Sequence, residues 1–332
     1  MSGTPFLEMT GVAKRFDAGG GMTVRLPGWT GSAKPGRQVH ALDGIDLRLM
    51  QGEVLGLVGE SGCGKSTLGR IAAGLMAPSE GEVRWKGRSL AQLKGAAARD
   101  MKLSTQMIFQ DPMSSLNPRL RVSDIVGEAP LVHGLVGRRE LDRYVDEQLT
   151  RAGFDPRLKR RYPHQFSGGQ RQRISIARAL AVRPQFLVCD ESVSALDVSI
   201  QAQVLNLFMK LKQELGLTYL FISHDLGVIE HLSDRVAVMY LGRIVEQAPT
   251  QELFSRPNHP YTHSLLAAVP RIDSRKTAFA TITGDIPSPL DPPAGCHFHP
   301  RCPFASGRCR TERPALKEIS PGHLSACHKN DR

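Results

Sequence analysis

The chain has 332 residues, enough for two domains or one large domain with an appendage. Hydrophobic residues make up 41% and charged residues 23%, an ordinary globular composition. No apolar run approaches the roughly 18 residues of a transmembrane helix, so intrinsic membrane proteins, disulfide scaffolds and disordered chains are set aside. The net charge of +11, from 43 basic and 32 acidic residues, favours an anionic partner: a nucleotide, a nucleic acid or the cytoplasmic face of a membrane.

The first residues, MSGTPFLEMTG, lack the charged-then-apolar pattern of a secretory signal, so a reducing compartment is expected. Residues 5–16 and 41–58 read as strands. The polar, glycine-rich stretch 17–40 between them is long for a loop and is expected to be a surface insertion or flap. A strand ends in the glycine loop at residue 59, and a helix follows. TQMIF at 105–109 reads as a strand. Residues 121–152 read as helix, with Leu141, Tyr144, Val145, Leu149 and Ala152 on one face. FLVCDE at 186–191 is a buried strand with acids at its C-terminal end. Residues 199–215 are a helix whose apolar face is Val204, Leu207, Phe208, Leu211 and Leu215, with Gly216 as its stop. TYLFIS (218–223) and RVAVMY (235–240) are β-rich runs. This alternation predicts an α/β fold with a mostly parallel sheet covered on both faces. Composition changes after about residue 250. DIPSPLDPPAG at 285–295 holds four prolines and must be extended. A domain boundary is therefore placed near 252, giving residues 1–252 and an accessory segment, 253–332.

Three segments carry nucleotide chemistry. GESGCGKST at 59–67 (Gly59, Glu60, Ser61, Gly62, Cys63, Gly64, Lys65, Ser66, Thr67) fits the G-x-x-x-x-G-K-[ST] phosphate loop. Its glycines let backbone N–H groups converge on phosphates, and the following helix presents its positive end. Lys65 would reach the β- and γ-phosphates, and Ser66 would place its hydroxyl on Mg²⁺. In VCDE at 188–191, Asp190 can hold Mg²⁺ and leave Glu191 to polarise the attacking water. In SGGQRQRISIARAL at 167–180, Ser167 and Gln170 form a capping box, and Ile174, Ala177 and Ala181 a buried face. Gly168 and Gly169 in its first turn cost roughly 1 kcal/mol each against alanine. Bare N–H groups at a helix start are, however, a second phosphate-binding surface. One ATP cannot easily fill both surfaces within one subunit, so two chains sharing nucleotides are expected.

Cys63 and Cys189 stand alone, and Cys189 on its apolar strand is expected to be a buried thiol. Cys296, Cys302, Cys309 and Cys327 run C-x₅-C-x₆-C-x₁₇-C, which is neither a zinc-finger nor a ferredoxin spacing. Four thiolates suffice for a structural Zn²⁺ or a [4Fe–4S] cluster. His297, His299, His323 and His328 could each replace a cysteine in a zinc site. A fold-stabilising clip is the simpler role, because this segment is short and proline-rich.

The phosphate loop, the SGGQ segment and the acidic strand, with SALD at 194–197 and SHD at 223–225, resemble an ABC-transporter ATPase subunit over about residues 5–250. The resemblance implies a P-loop NTPase cassette. Such a cassette has a RecA-like core, an antiparallel β part and a helical subdomain at about 112–180. It pairs head to tail, with ATP sandwiched between one phosphate loop and the partner's SGGQ helix. Gln110 would sense Mg²⁺ and the attacking water. Ser167 and Gly169 would contact the γ-phosphate across the interface. Asp197 would lie in the loop linking the two sites, His224 would hold the γ-phosphate and orient Glu191, and Phe16 would stack on adenine. Ser192 departs from the pattern, since the family commonly has proline there, and this puts the turn beyond Glu191 in question.

RPNHPYTHSLLAAVP at 256–270 and SPLDPPAGCHFHPRC at 288–302 resemble the C-terminal extension of the oligopeptide/dipeptide import ATPases, most closely the F-type cassette. That resemblance implies the [4Fe–4S] cluster and ATP-driven import of peptides or related small solutes. It also implies a second cassette (identical or D-type), two transmembrane permeases and, indirectly, an extracytoplasmic binding protein. The chain would sit peripherally on the cytoplasmic face of the inner membrane, without nucleic acid. The rival reading is a non-transport ABC ATPase acting on nucleic acid or ribosomes, which the charge would suit. Such proteins typically carry two cassettes or a long coiled-coil insertion, and this sequence has neither. An exporter or a regulatory subunit is a second rival, against which HPYT and PPAGC weigh.

Overall fold

The computed structural model describes residues 4–18, 37–194, 196–268 and 284–331. Two sheets organise it. Leu7–Ala18 (β1), Arg37–Leu49 (β2), Glu80–Trp85 (β4) and Arg88–Ser89 (β5) form an antiparallel sheet in the order β2-β1-β4-β5. The second sheet has eight strands. In chain order they are Val54–Val58 (β3), Thr105–Ile108 (β6), Phe186–Asp190 (β7), Thr218–Ile222 (β8), Arg235–Tyr240 (β9), Arg243–Pro249 (β10), Lys317–Ser320 (β11) and His323–Ser325 (β12). Their spatial order is β11-β12-β10-β9-β3-β8-β7-β6.

The parallel part, β9-β3-β8-β7-β6, positions everything that follows. β3, β7 and β8 are buried at every residue, as strands covered on both faces must be. Helix Lys65–Ala72 packs so closely on one face that a Cβ on Gly69 would lie 2.8 Å from Ile222 Cδ1. Helices Gly168–Leu180 and Val198–Leu215 cover the other, burying Ile174, Ile176, Val204 and Phe208.

Several sequence expectations need correction. The run 41–58 is two strands, β2 and β3, separated by a turn in which Gly52 takes φ +75°. The expected flap 17–40 is strand at both ends: Asp17 and Ala18 pair with Gln38 and Arg37. Residues 19–36 lie outside the described residues. The expected helix 121–152 is two helices, Val122–Val132 and Leu141–Arg151, the first ending at Gly134 with φ +69°. Tyr144, Val145, Leu149 and Ala152 are nonetheless buried as their spacing predicts. Helix Val198–Leu215 ends at Gly216 in the left-handed region, as expected, but Leu215 is 40% exposed rather than part of the apolar face.

The C-terminal segment borrows the core of the cassette. β12 pairs antiparallel with β10, Glu246 facing Ser325. Phe298 packs against Tyr240 and Tyr261 at centroid distances of 5.2 and 5.4 Å. Glu246 is fully buried and stitches the junction. Its carboxylate accepts from the Asn258 and His259 N–H groups at 2.6 and 2.9 Å and faces His323 Nε2 at 2.7 Å. Glu246→Ala strands these donors, which should cost roughly 2–4 kcal/mol in local stability. Limited proteolysis should show cleavage within 253–331 at a temperature where the natural chain is intact. Unchanged protection would show that the carboxylate is dispensable.

Candidate nucleotide site

Four motifs far apart in sequence converge because each follows a strand of the parallel sheet. In the order β3-β8-β7-β6, the loops beyond the C-terminal strand ends carry the phosphate loop, His224, Glu191 and Gln110. The register aligns these ends, Leu57 and Asp190 both lying against Ile222 and Ile108 against Cys189. The carboxyl edge of such a sheet is where open α/β folds bind ligands.

The phosphate loop joins β3 to helix Lys65–Ala72. Gly64 takes φ +107°, and a Cβ there would lie 2.3 Å from the Ala41 carbonyl oxygen, so only glycine fits. Lys65 is 5% exposed. Its Nζ donates to the Gly59 and Glu60 carbonyls at 2.7 and 3.0 Å, holding the loop in a compact arc. Ser61 and Gly62 are exposed at its tip, and Thr67 is half-buried on the helix. Cys63 is buried, and burial raises its thiol above the ordinary range, so it packs rather than reacts. Cys189 is fully buried on β7, as expected.

Ser66 Oγ donates to Asp190 Oδ1 at 2.9 Å. Burial pushes the Asp190 carboxyl upward, the Ser66 bond opposes this, and the nearby Glu191 charge adds to it. A buried carboxylate beside a hydroxyl is a hard-oxygen pair suited to Mg²⁺, which would relieve that desolvation. Glu191 Oε2 accepts from Gln110 Nε2 at 2.8 Å and lies 3.4 Å from His224 Nδ1. Glu191 takes φ +47°, an uncommon conformation for a non-glycine residue. Its N–H donates to Ile222 O at 3.0 Å, and Ser194 Oγ donates to its carbonyl at 2.9 Å. These bonds hold the turn although Ser192, 2% exposed beside the Cys189 thiol, replaces the usual proline. Asp225 accepts from the Gly227 and Val228 N–H groups, capping the next helix and leaving His224 exposed at its start.

The structure thus gathers residues 59–67, Gln110, Asp190, Glu191 and His224. The other predicted residues make no hydrogen bond to this cluster among the described residues. Ser167 and Gln170 close the expected capping box, at 3.4 and 3.1 Å, at the start of helix Gly168–Leu180. Ser167, Gly168 and Gln170 are exposed, and a Cβ on Gly169 would lie 2.6 Å from Ile200 Cγ2. Asp197 is exposed just before helix Val198–Leu215. Phe16 on β1 is 38% exposed, with Lys14 Nζ 5.3 Å from its ring centre.

Cys296, Cys302, Cys309 and Cys327 line one cavity of about 240 Å³. Among the described residues, no three His, Cys, Asp or Glu side chains form a group that could hold a metal ion. Burial raises Cys296 to about 11, and the other three thiols push the same way. His297 turns away, its Nδ1 2.9 Å from the Leu241 carbonyl, and His323 is engaged by Glu246 and Glu252.

Two contacts with the phosphate loop were not legible in the sequence. Arg301 pairs with the Glu60 carboxylate, and the Tyr261 hydroxyl accepts from the Glu60 N–H. Both residues lie in segments noted only for their family likeness, and no local pattern joins positions 241 residues apart.

Family comparison agrees with this geometry. Residues 42–194 match the ABC transporter family and residues 245–309 the oligopeptide/dipeptide transporter C-terminal region. The oligopeptide transport ATP-binding protein AppF of Bacillus subtilis is 47% identical over 326 residues, covering 97% of this chain and 96% of that protein. The oligopeptide transport ATP-binding protein OppF of Salmonella typhimurium is 48% identical over 303 residues, 90% of each chain. A solved dimeric ATP-binding cassette in a post-hydrolysis state, bound to ADP and Pi, superposes with a TM-score of 0.63 at 27% identity. It covers 74% of this chain and 98% of that one. By near full-length similarity, and by a fold that brings the nucleotide motifs to one sheet edge, the chain belongs to the ATP-binding subunits of ABC transporters that carry the oligopeptide/dipeptide transporter C-terminal region.

Proposed function

We propose that this chain hydrolyses ATP to energise import of di- or oligopeptides or related small solutes across the cytoplasmic membrane. The observation that carries the reading is the Gln110–Glu191–His224 cluster beside the Ser66–Asp190 pair, in a chain whose residues 245–309 match the oligopeptide/dipeptide transporter C-terminal region. In this reading residues 1–252 are the ATPase domain and residues 253–332 the accessory segment.

The chemistry follows from the side chains. Lys65 and the loop N–H groups bind and orient the β- and γ-phosphates. Ser66, Asp190 and Gln110 would hold Mg²⁺, which would supply charge neutralisation to the phosphate oxygens. Glu191 accepts a proton from the attacking water, held in position by the Gln110 amide and His224. Phe16 offers a face to the adenine. Ser167–Gln170 and Asp197, open to solvent at the starts of their helices, serve the nucleotide of a second cassette, identical or related. Cassette closure then drives two permease subunits, with an extracytoplasmic binding protein delivering the solute. No helix among the described residues is long and apolar enough to cross a membrane, consistent with a peripheral seat on the inner face.

For the four cysteines that line one cavity the reading is a [4Fe–4S] cluster, with one zinc ion as the alternative; it rests on the number of thiols and the family likeness. The cluster would supply positive charge to buried thiolates and clip a segment too small for its own core.

The test is an anaerobic, mild-detergent pull-down of the tagged chain from membranes, with iron, sulfide and zinc measured in the same sample. Two permeases and a second cassette are expected, with iron and sulfide near four per chain. Recovery with ribosomes or nucleic acid and no membrane chain would overturn the transport reading. Zinc in place of iron would overturn the cluster.

A further inference from the structure

Glu60 is the second residue of the phosphate loop, at a position where the loop's chemistry asks for no particular side chain. A carboxylate beside a polyphosphate is unfavourable unless it is neutralised. Arg301 supplies that neutralisation from the C-terminal segment. Its Nη1 and Nη2 donate to Glu60 Oε2 and Oε1 at 2.7 and 3.0 Å, a two-pronged pair that fixes geometry as well as charge. The Arg301 side chain is 4% exposed and that of Glu60 21%, so solvent screens the pair weakly. Tyr240, on β9, lies under the guanidinium, its ring centre 5.8 Å away and its hydroxyl 3.4 Å from Nη1.

The backbone of Glu60 is held as well. Its N–H donates to the Tyr261 hydroxyl at 2.9 Å, and its carbonyl accepts Lys65 Nζ at 3.0 Å. Tyr261 is fully buried, locked against Tyr240 and Phe298. Two of the three side chains that hold Glu60, Arg301 and Tyr261, therefore belong to the segment beyond residue 252. Arg301 ends the short turn His299–Arg301, and Cys302, which follows it, lines the cysteine cavity. The residue that holds Glu60 is thus flanked in sequence by cavity-lining residues, His299 two positions before it and Cys302 directly after it.

We infer that Arg301, with Tyr261, is a positioning residue for the phosphate loop, acting through Glu60, so that the docked C-terminal segment sets the affinity for ATP. The inference rests on reading residues 59–67 as the nucleotide site. It predicts an effect on binding rather than on the hydrolytic step, because Arg301 touches neither Glu191 nor Gln110 by any hydrogen bond.

The test uses the full chain and a fluorescent ATP analogue with Mg²⁺, comparing Arg301→Gln, Arg301→Lys, Glu60→Gln and the Glu60→Gln/Arg301→Gln double variant. Arg301→Gln should raise Kd and KM about tenfold, equivalent to about 1.4 kcal/mol, with kcat at saturating ATP nearly unchanged. Arg301→Lys, which keeps the charge but not the fork, should recover part of the loss. In the Glu60→Gln background, where there is no carboxylate to neutralise, Arg301→Gln should add almost nothing. Unchanged affinity in Arg301→Gln would overturn the inference. So would an equal loss in both backgrounds accompanied by a fall in kcat, the mark of simple misfolding. If Arg301→Gln does not fold, the same comparison made with Arg301→Lys decides. Failure of the natural chain to bind the analogue would overturn the nucleotide-site reading itself.

Discussion

Replacing Glu191 with glutamine should lower ATP hydrolysis by roughly 10²- to 10⁴-fold, the range contributed by a positioned general base, while ATP remains bound. Glu191 stands just beyond β7 within reach of Gln110 and His224, whereas Asp190 is engaged by Ser66 Oγ at 2.9 Å. Gln110 Nε2 and His224 Nδ1 lie 2.8 and 3.4 Å from Glu191 Oε2, so one oxygen is engaged by these partners and the other is left for water. Glutamine keeps the volume and can still accept from Gln110, but its amide takes no proton at neutral pH. The phosphate loop, Ser66 and Asp190 are untouched, so the affinity for MgATP should hold. Cassettes that bind but do not hydrolyse should accumulate as ATP-bound dimers, seen by size exclusion with ATP present. A fall of less than about tenfold would show that another group moves the proton. His224→Ala should cost less, because it removes an orienting contact and leaves the base.

The site was legible in sequence to the extent that its chemistry is local. The phosphate loop, the capping box at Ser167 and the acids ending FLVCDE each carry their reason within a few residues: a positive φ at Gly64, reciprocal bonds between Ser167 and Gln170, and a strand end that exposes a turn. The convergence of Gln110, Glu191 and His224 was expected only through family likeness. Its physical cause is strand order, β6 beside β7 beside β8, which no window of sequence encodes. Helix 121–152 failed for a local reason: the apolar spacing continues across Gly134, but glycine at φ +69° ends the first helix. The placing of a boundary near 252 captured a change in composition but not the packing. Glu246, a charged residue inside strand β10, reads as a surface position until the Asn258 and His259 N–H groups and His323 are found around it. Arg301 was missed for the same reason. Its partner lies 241 residues away, and a lone arginine in a proline-rich segment carries no local signal.

Lys65→Ala tests the other half of the site and should remove ATP binding altogether within a millimolar titration. Lys65 is 5% exposed and its ammonium is already held by the Gly59 and Glu60 carbonyls, so its charge acts in a poorly screened setting. Losing it should raise Kd at least a hundredfold, or about 2.7 kcal/mol. That exceeds the tenfold expected for Arg301→Gln, since Lys65 meets the phosphates and Arg301 only steadies the loop that presents them. The cleanest readout is thermal stability with and without MgATP. A ligand at a thousand times its Kd stabilises the folded chain by about 4.1 kcal/mol, and one near its Kd by well under 1 kcal/mol. The natural chain should therefore show a clear ATP-dependent rise in Tm, and Lys65→Ala almost none. Without nucleotide the variant should melt somewhat lower, because the Gly59 carbonyl loses its buried donor. A large drop in the nucleotide-free Tm would assign Lys65 mainly to holding the loop. A preserved ATP-dependent rise would mean that the loop N–H groups alone bind the phosphates, and that the lysine acts only during hydrolysis.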